Sequence, residues 1–243
     1  MSVLPVAVAG ATGRMGGRVA RAVEADADFR LAASLSRDRL GGDWNGARVL
    51  ADFTSPAGTA ALAALAAERR VALLVGTTGL DMDARAALDA AASKVAVMVA
   101  PNLSPGIAAL GRALKVVLAA LPGYDVEIVE RHHRAKADAP SGTALALGAI
   151  AAAARGLPWP DAGRAGRSGA VGPRPDGEIG LHAVRGGAWV GEHAVLVAGP
   201  HETLELHHVA HDRDAFTAGA LLALRFLAGA GPGRYTLEDA LGP

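Results

Sequence analysis

Val3-Leu4-Pro5-Val6-Ala7-Val8-Ala9-Gly10-Ala11-Thr12-Gly13-Arg14-Met15-Gly16 is an apolar run that stops at a glycine and passes into a helical pattern over Arg14 to Ala25. A glycine pattern at a strand-to-helix turn reads as a phosphate-binding loop. Gly10 permits the tight turn, Gly13 lets a pyrophosphate meet the backbone, and Gly16 lets helix and strand pack closely. Thr12 stands where the usual dinucleotide fingerprint has its second glycine, so the spacing is G-x-x-G-x-x-G. The stretch predicts a βα unit that holds a nucleotide.

Outward from it, short strand-like runs alternate with Ala-rich helical stretches, the pattern of βαβ units building a parallel sheet. Strands are expected at Phe29 to Leu35, Arg48 to Phe53, Val71 to Val75 and Val95 to Ala100, with helices at Pro56 to Arg69 and Asp83 to Ser93. Ser55 caps the first of these helices and Pro56 takes its first turn. After Asn102 the texture changes. A helix from Gly106 to Ala120 leads to a strand over Asp125 to Val129, a charged loop, and a helix from Thr143 to Arg155. Residues 160–178 are rich in Gly, Arg and Pro without periodicity and read as a long loop. Strands follow at Ile179 to Val184, Ala188 to Val197 and Thr203 to Val209, the first two expected to form a hairpin at Gly186-Gly187. A last helix, Arg213 to Ala228, is long enough to return to the first domain. The expectation is an α/β chain: residues 1–102 with 213–243 form a Rossmann-type dinucleotide-binding domain, and 103–212 an α+β domain with a mixed sheet.

In such a sheet, ligands bind beyond the carboxyl ends of the strands. Gly76-Thr77-Thr78-Gly79 and Ala100-Pro101-Asn102 fall at two of those ends and suggest a wall facing a nicotinamide. An acidic residue about twenty positions after the glycine loop normally accepts the ribose hydroxyls of NAD, while a nearby cation accommodates the 2′-phosphate of NADP. Here Ser36 and Arg37 occupy that region, followed by Asp38. The pair Ser36 and Arg37 favours NADPH over NADH; Asp38 in the acidic role would reverse that preference.

The most chemically loaded segment is Glu130-Arg131-His132-His133-Arg134-Ala135-Lys136-Ala137-Asp138-Ala139-Pro140-Ser141-Gly142-Thr143. Histidine exchanges a proton near neutral pH, and Lys136 shares a face with His132 if the segment is helical. Pro140 resists continuation of a preceding helix. Ser141 then reads as an N-cap and Gly142 lets a ligand approach the backbone, so the helix start can hold a carboxylate. A solubilising loop needs none of this order. The segment suits a small multivalent anion that also needs a proton.

Composition narrows the classes. Lys plus Arg equals Asp plus Glu at 24 each, which leaves no global field for nucleic acid or an acidic membrane. Cysteine is absent, which excludes thiolate metal sites and a thiol nucleophile and agrees with a cytoplasmic setting. Apolar stretches break well before about 18 residues, and no signal-peptide pattern is seen. No metal-ligand spacing is recognisable, and His207 and His208 read as sheet or interface residues.

The run Glu130 to Ala144 resembles the signature of the 4-hydroxy-tetrahydrodipicolinate reductase family, E-x-H-H-x-x-K-x-D-A-P-S-G-T-A, at every specified position. The family's G-x-x-G-R-M-G loop, including Arg14 and Met15, its Asp-aromatic-Thr strand end (Asp52-Phe53-Thr54), its G-T-T-G and A-P-N turns and its G-E-H segment (Gly191 to His193) also occur in order. The resemblance implies His132 as the acid, Lys136 and His133 as groups that bind or polarise substrate, and Ser141, Gly142 and Thr143 as holders of a ring carboxylate. It places Phe53, Gly76, Thr78, Ala100 and Asn102 by the cofactor. It further implies a substrate domain that builds a homotetramer, hinge closure over the substrate, and a place in the diaminopimelate route to lysine.

Together these readings describe an NAD(P)H-dependent reductase of a cyclic imine dicarboxylate. Either His132 or water delivers the final proton. The rivals are another two-domain NAD(P)-dependent imine or amino-acid dehydrogenase, against which the His-His-Lys cluster speaks, and a nucleotide sensor without turnover, against which His132 and Lys136 speak.

Overall fold

The computed structural model describes residues 3–36 and 39–242, and the chain divides into two compact units, Met1–Pro105 with Asp214–Pro243, and Gly106–Arg213. Among the described residues, no helix is long and apolar enough to cross a membrane.

The first unit alternates β1 (Leu4–Ala9), α1 (Arg14–Ala25), β2 (Phe29–Leu35), β3 (Val49–Asp52), α2 (Pro56–Arg69), β4 (Ala72–Val75), α3 (Met82–Ala92) and β5 (Ala96–Val99). Every residue of β3 is buried, as are Leu73 to Val75 of β4 and Ala96 to Met98 of β5. Unbroken burial is what a parallel strand covered on both faces requires. The helix starts follow local chemistry: Ser55 Oγ accepts from the Gly58 amide at the start of α2, and Asp81 caps the Ala84 amide of α3.

The second unit contains α4 (Pro105–Ala120, beginning at the unit boundary), β6 (Asp125–His132), α5 (Gly142–Ala154), β7 (Gly163–Ala165), β8 (Ile179–Arg185), β9 (Gly191–Ala198) and β10 (Thr203–Ala210). The chain then returns to the first unit with α6 (Asp214–Leu227), β11 (Gly233–Tyr235) and α7 (Leu237–Ala240). Helix α6 packs so closely that a Cβ on Gly219 would lie 1.7 Å from the Leu103 carbonyl oxygen. Strand β11 completes a parallel sheet of order β11-β5-β4-β3-β1-β2. The order reverses direction between β1 and β3, the crevice where ligands bind in such sheets. Neither β11 nor α7 is expected from the sequence, because Gly233-Arg234-Tyr235 is too short to show a period.

The second sheet is mixed, of order β10-β9-β6-β8-β7. Leu110, Leu114 and Leu118 of α4 and Leu147 and Ala151 of α5 meet Val126, Ile128, Ile179, Leu181, Val195 and Val197 in one core. Two expectations are corrected. Strands β8 and β9 do not form a hairpin: β6 lies between them, parallel to β8 and antiparallel to β9. The Gly186-Gly187 turn instead steps over the end of β6, where the Gly186 amide donates to the His132 carbonyl and the His133 amide to the Trp189 carbonyl. The 160–178 segment is also not a free loop. It contributes the edge strand β7 and reaches back through Arg167 and Arg174, both bonded to Glu127. Burial raises the Glu127 carboxyl, but Arg167, His182 and Arg174 outweigh it and hold it at about 2.

Candidate active site

Strand alternation places Val126, Ile128 and Glu130 on the inner face of β6, so the strand's last inward residue before His132 is a carboxylate with no exposed surface. An isolated buried carboxylate costs several kcal/mol, so it must be paired. Arg185 on β8 supplies both terminal nitrogens, Nη1 to Oε2 at 2.6 Å and Nη2 to Oε1 at 2.7 Å. The Ser141 amide donates to Oε1 at 2.9 Å, and His132 Nδ1 lies 2.6 Å from Oε2. Burial pushes the Glu130 carboxyl up, yet these donors overcome it and hold it below the usual glutamate range. Arg185 also donates to the Asp138 carbonyl at 2.7 Å, which ties down the loop between β6 and α5.

His132 ends the strand and His133 begins a turn closed by the Lys136 amide donating to the His133 carbonyl. The segment is therefore not helical, and His132 and Lys136 do not share a helical face. Arg185 holds the Asp138 carbonyl, so the chain is drawn to β8 where a helix would have continued. Lys136 Nζ instead sits 2.8 Å from both Asp138 carboxylate oxygens, and the Asp138 side chain is 62 % exposed. The Lys136 side chain is itself only 19 % exposed, but with the carboxylate largely in water the pair is close to a surface pair, worth about 0–1 kcal/mol. Burial lowers the His132 pKa against the pull of Glu130, and the charges of Lys136 and Arg185 lower it further.

Ser141 is 2 % exposed and its polar atoms are committed within the protein: its amide goes to Glu130, while its hydroxyl accepts from the Ala144 amide and lies 3.2 Å from His193 Nε2. It positions the helix start, and Gly142, exposed, and Thr143, half-buried, follow it in the first turn of α5. His193 on β9 meets His132 edge to face with ring centroids 5.2 Å apart. Its Nδ1 has no partner among the described residues, and burial first, then the neighbouring charge of His132, pushes it down to about 3. Among the described residues, no cluster of His, Asp or Glu could hold a metal ion. The sequence reading missed Glu130, because the expected strand stopped at Val129 where β6 runs on to His132 and carries the alternation through both residues, and it missed Arg185, which is distant in sequence.

In the first unit, the residues expected at a cofactor gather along the carboxyl edge of the parallel sheet. Gly10 adopts φ 76°, and a Cβ there would lie 2.4 Å from the Phe53 carbonyl oxygen; one on Gly16 would lie 2.2 Å from the Gly10 carbonyl oxygen. No side chain caps α1 at Gly13, and its first turn carries no acid. Thr12, Gly13 and Arg14 are exposed, Met15 is half-buried and Gly16 buried. The uncapped, acid-free helix start suits the phosphates of a dinucleotide. Phe53 follows β3 with its ring against Gly76, where a Cβ would be 2.3 Å from Cε1. Asp52 organises this edge: fully buried, it accepts from Thr54 and Thr59, and Thr77 Oγ1 accepts from the Thr54 amide. Thr78 is exposed, the Ala100 amide bonds the Val75 carbonyl, and Asn102 Oδ1 accepts from the Ser104 amide. Ser36 is exposed after β2; Arg37 and Asp38 lie outside the described residues.

Family models named for the N-terminus and the C-terminus of dihydrodipicolinate reductase match residues 4–103 and 106–241. The 4-hydroxy-tetrahydrodipicolinate reductases of Ruegeria pomeroyi and Caulobacter vibrioides are 41 % and 42 % identical, each covering 98 % of this chain and 97 % and 96 % of their own. A solved dipicolinate-bound dihydrodipicolinate reductase from Paenisporosarcina superposes with a TM-score of 0.78 at 24 % identity, covering 98 % of this chain and 99 % of its own. A myo-inositol dehydrogenase from Corynebacterium glutamicum shares the fold at a TM-score of 0.64 and 16 % identity, covering 98 % and 92 %.

The buried neutral His193 makes stability depend on pH. With a folded value near 3 against 6.5 unfolded, its contribution is complete above pH 6.5 and is lost as pH falls from 6.5 towards 3, where only the unfolded chain takes the proton. Wild type should lose stability in that window faster than His193→Gln, by up to about 1.4 kcal/mol per pH unit. Urea unfolding of both proteins at stepped pH measures the difference, and parallel curves would show that His193 charges in the folded protein.

Proposed function

The chain belongs to the dihydrodipicolinate reductase family, and from that premise we propose that it reduces 4-hydroxy-tetrahydrodipicolinate to tetrahydrodipicolinate, in the diaminopimelate route to lysine. It is a nicotinamide-dependent oxidoreductase. The observation that carries the site reading is that the connection from β6 to α5 brings a proton-bearing imidazole and a helix start together on Glu130, with the cation of Lys136 close enough to act on the same imidazole.

The product lacks the 4-hydroxyl, so water leaves the ring and the unsaturation this creates accepts a hydride. A bound nicotinamide supplies that hydride. Electron density then moves through the conjugated system to the ring nitrogen and the carbon two bonds from it, and a proton on that carbon completes the reduction. Lys136 gives up Asp138 for the substrate dianion, at little cost, and offsets the charge that develops on it. His132, with His133 beside it, faces the same anion, and a ring carboxylate sits on the start of α5 at Gly142 and Thr143 while Ser141 holds that turn in place.

The purified protein should oxidise NADPH, followed by loss of its near-ultraviolet absorbance, when freshly generated substrate is added. Replacing His132 or Lys136 with alanine should lower kcat by roughly 10²- to 10⁴-fold, the cost of losing a positioned acid or an electrostatic group. Near-wild-type turnover in both variants would remove the site assignment.

For the dinucleotide, Ser36 supports NADPH: it puts a hydroxyl, not a carboxylate, after β2. NADPH should serve at least as well as NADH, and Ser36→Glu should shift preference to NADH by repelling a 2′-phosphate and offering the free hydroxyls an acceptor. The ratio of kcat/KM for the two cofactors in both proteins tests this; a strong wild-type preference for NADH would place an acid at the ribose.

The face of the mixed sheet opposite α4 and α5 supports the homotetramer. By register, Arg131, Glu192, Val184 and Val209 lie in one row there, Arg131 bonded to Glu192, and the two valines are more than a third exposed. Light scattering should return about four times the 24.4 kDa chain mass; a monomer would set this assembly aside.

A further inference from the structure

We propose that Glu130, clamped by Arg185, is a positioning residue that fixes which nitrogen of His132 meets the substrate and keeps the carboxylate-binding start of α5 in register with it. The proposal rests on the reading of His132 as the acid. An ionised carboxylate can only accept, so at 2.6 Å it requires a proton on His132 Nδ1 in both protonation states of the ring. The exchangeable proton is therefore the one on Nε2.

Strand β9 runs close beside that nitrogen, and it is a glycine that faces it. A Cβ on Gly191 of β9 would lie 3.1 Å from His132 Nε2, so a side chain at this position would crowd the atom that must approach the ring. In the proposed step the imidazolium Nε2–H bond breaks as the electron pair on the reduced ring's carbon forms the new C–H bond. The neutral ring left behind keeps its Nδ1 proton on Glu130, and water restores the proton on Nε2.

The same carboxylate holds the Ser141 amide through its other oxygen, so proton donor and anion site are fixed by a single group whose own position is set by two guanidinium bonds. A role in stability alone would require none of this directionality. The charged and titratable groups around His132 are Glu130 on β6, Arg185 on β8, His193 on β9, and Lys136 and Asp138 on the loop. Of those acting directly on the ring, Glu130 favours the imidazolium, while Lys136 and Arg185 oppose it.

Replacing the carboxylate with an amide removes the favourable charge and lets the side chain donate to Nδ1, which admits the other tautomer. In Glu130→Gln, kcat at neutral pH should fall roughly 10²-fold or more, and the alkaline limb of the kcat profile should move to lower pH. Glu130→Asp, which keeps the charge with a shorter reach, should lower kcat while leaving the limb closer to wild type. A purely structural role predicts no movement of the limb in Glu130→Gln. The wild-type protein offers a test that no folding failure can spoil: ¹⁵N-histidine spectra above the limb, with the His132 signal assigned by its loss in His132→Asn, should show the Nδ1–H tautomer. An unmoved limb in a folded Glu130→Gln, or an Nε2–H tautomer in wild type, overturns the proposal, whereas full turnover of His132→Asn overturns the reading beneath it.

Discussion

A carboxylate without exposed surface sits at the end of β6, and the arrangement around it follows from the need to compensate its charge. Removing such a group from water costs several kcal/mol, recovered only when geometry and hydrogen bonds are good. Glu130 meets that condition with four donors drawn from β6, β8 and the start of α5. Arg185 carries the constraint onward to the Asp138 carbonyl, and so to the loop that leads into the helix. A buried pair of this kind is weak evidence for stability, because well-packed apolar residues often serve as well. What apolar residues cannot supply is direction, and the donors here converge on chemically useful groups.

Arg185 and Lys136 differ in how firmly their partners hold them. Arg185 is held by a buried acceptor and a backbone carbonyl, so drawing it towards a ligand would strand Glu130 at a cost of about 3–5 kcal/mol. Lys136 is held by an exposed aspartate in a pair worth about 0–1 kcal/mol. Only Lys136 can change partner cheaply. A similar division separates Ser141, whose amide and hydroxyl are engaged inside the protein, from the first-turn residues that follow it.

Much of this was legible in the chain. The glycine loop, the alternation of strands and helices and the capping residues Ser55 and Ser141 act over a few residues, so local spacing reports them. Pairing between distant strands does not. Gly186-Gly187 has the composition of a hairpin turn, yet β6 takes the place between β8 and β9, because partner choice is made by burial of whole strands rather than by turn residues. The same limit applies to the site. His132, Lys136 and the helix start announce themselves within one segment, but the helical face expected to join His132 to Lys136 is replaced by a strand end and a turn. Arg185 enters only once β8 lies parallel to β6, pairing His132 with Arg185 in register.

The parallel sheet and its glycine turn explain how a dinucleotide could be held but not what would be reduced, since dehydrogenases of other substrates share the architecture. At the carboxyl edge, backbone contacts dominate: Gly10 and Gly16 are required by carbonyl oxygens, and Gly76 by the Phe53 ring, whichever substrate is used. On the proposed function the second unit carries the discrimination, because that site is built from side chains whose charge and proton inventory must match a ligand. A neutral or monoanionic substrate would leave either Lys136 or the start of α5 without a counter-charge, and a substrate needing no proton would leave His132 idle. The proposed substrate, a ring with two carboxylates that is protonated as it is reduced, would use all three.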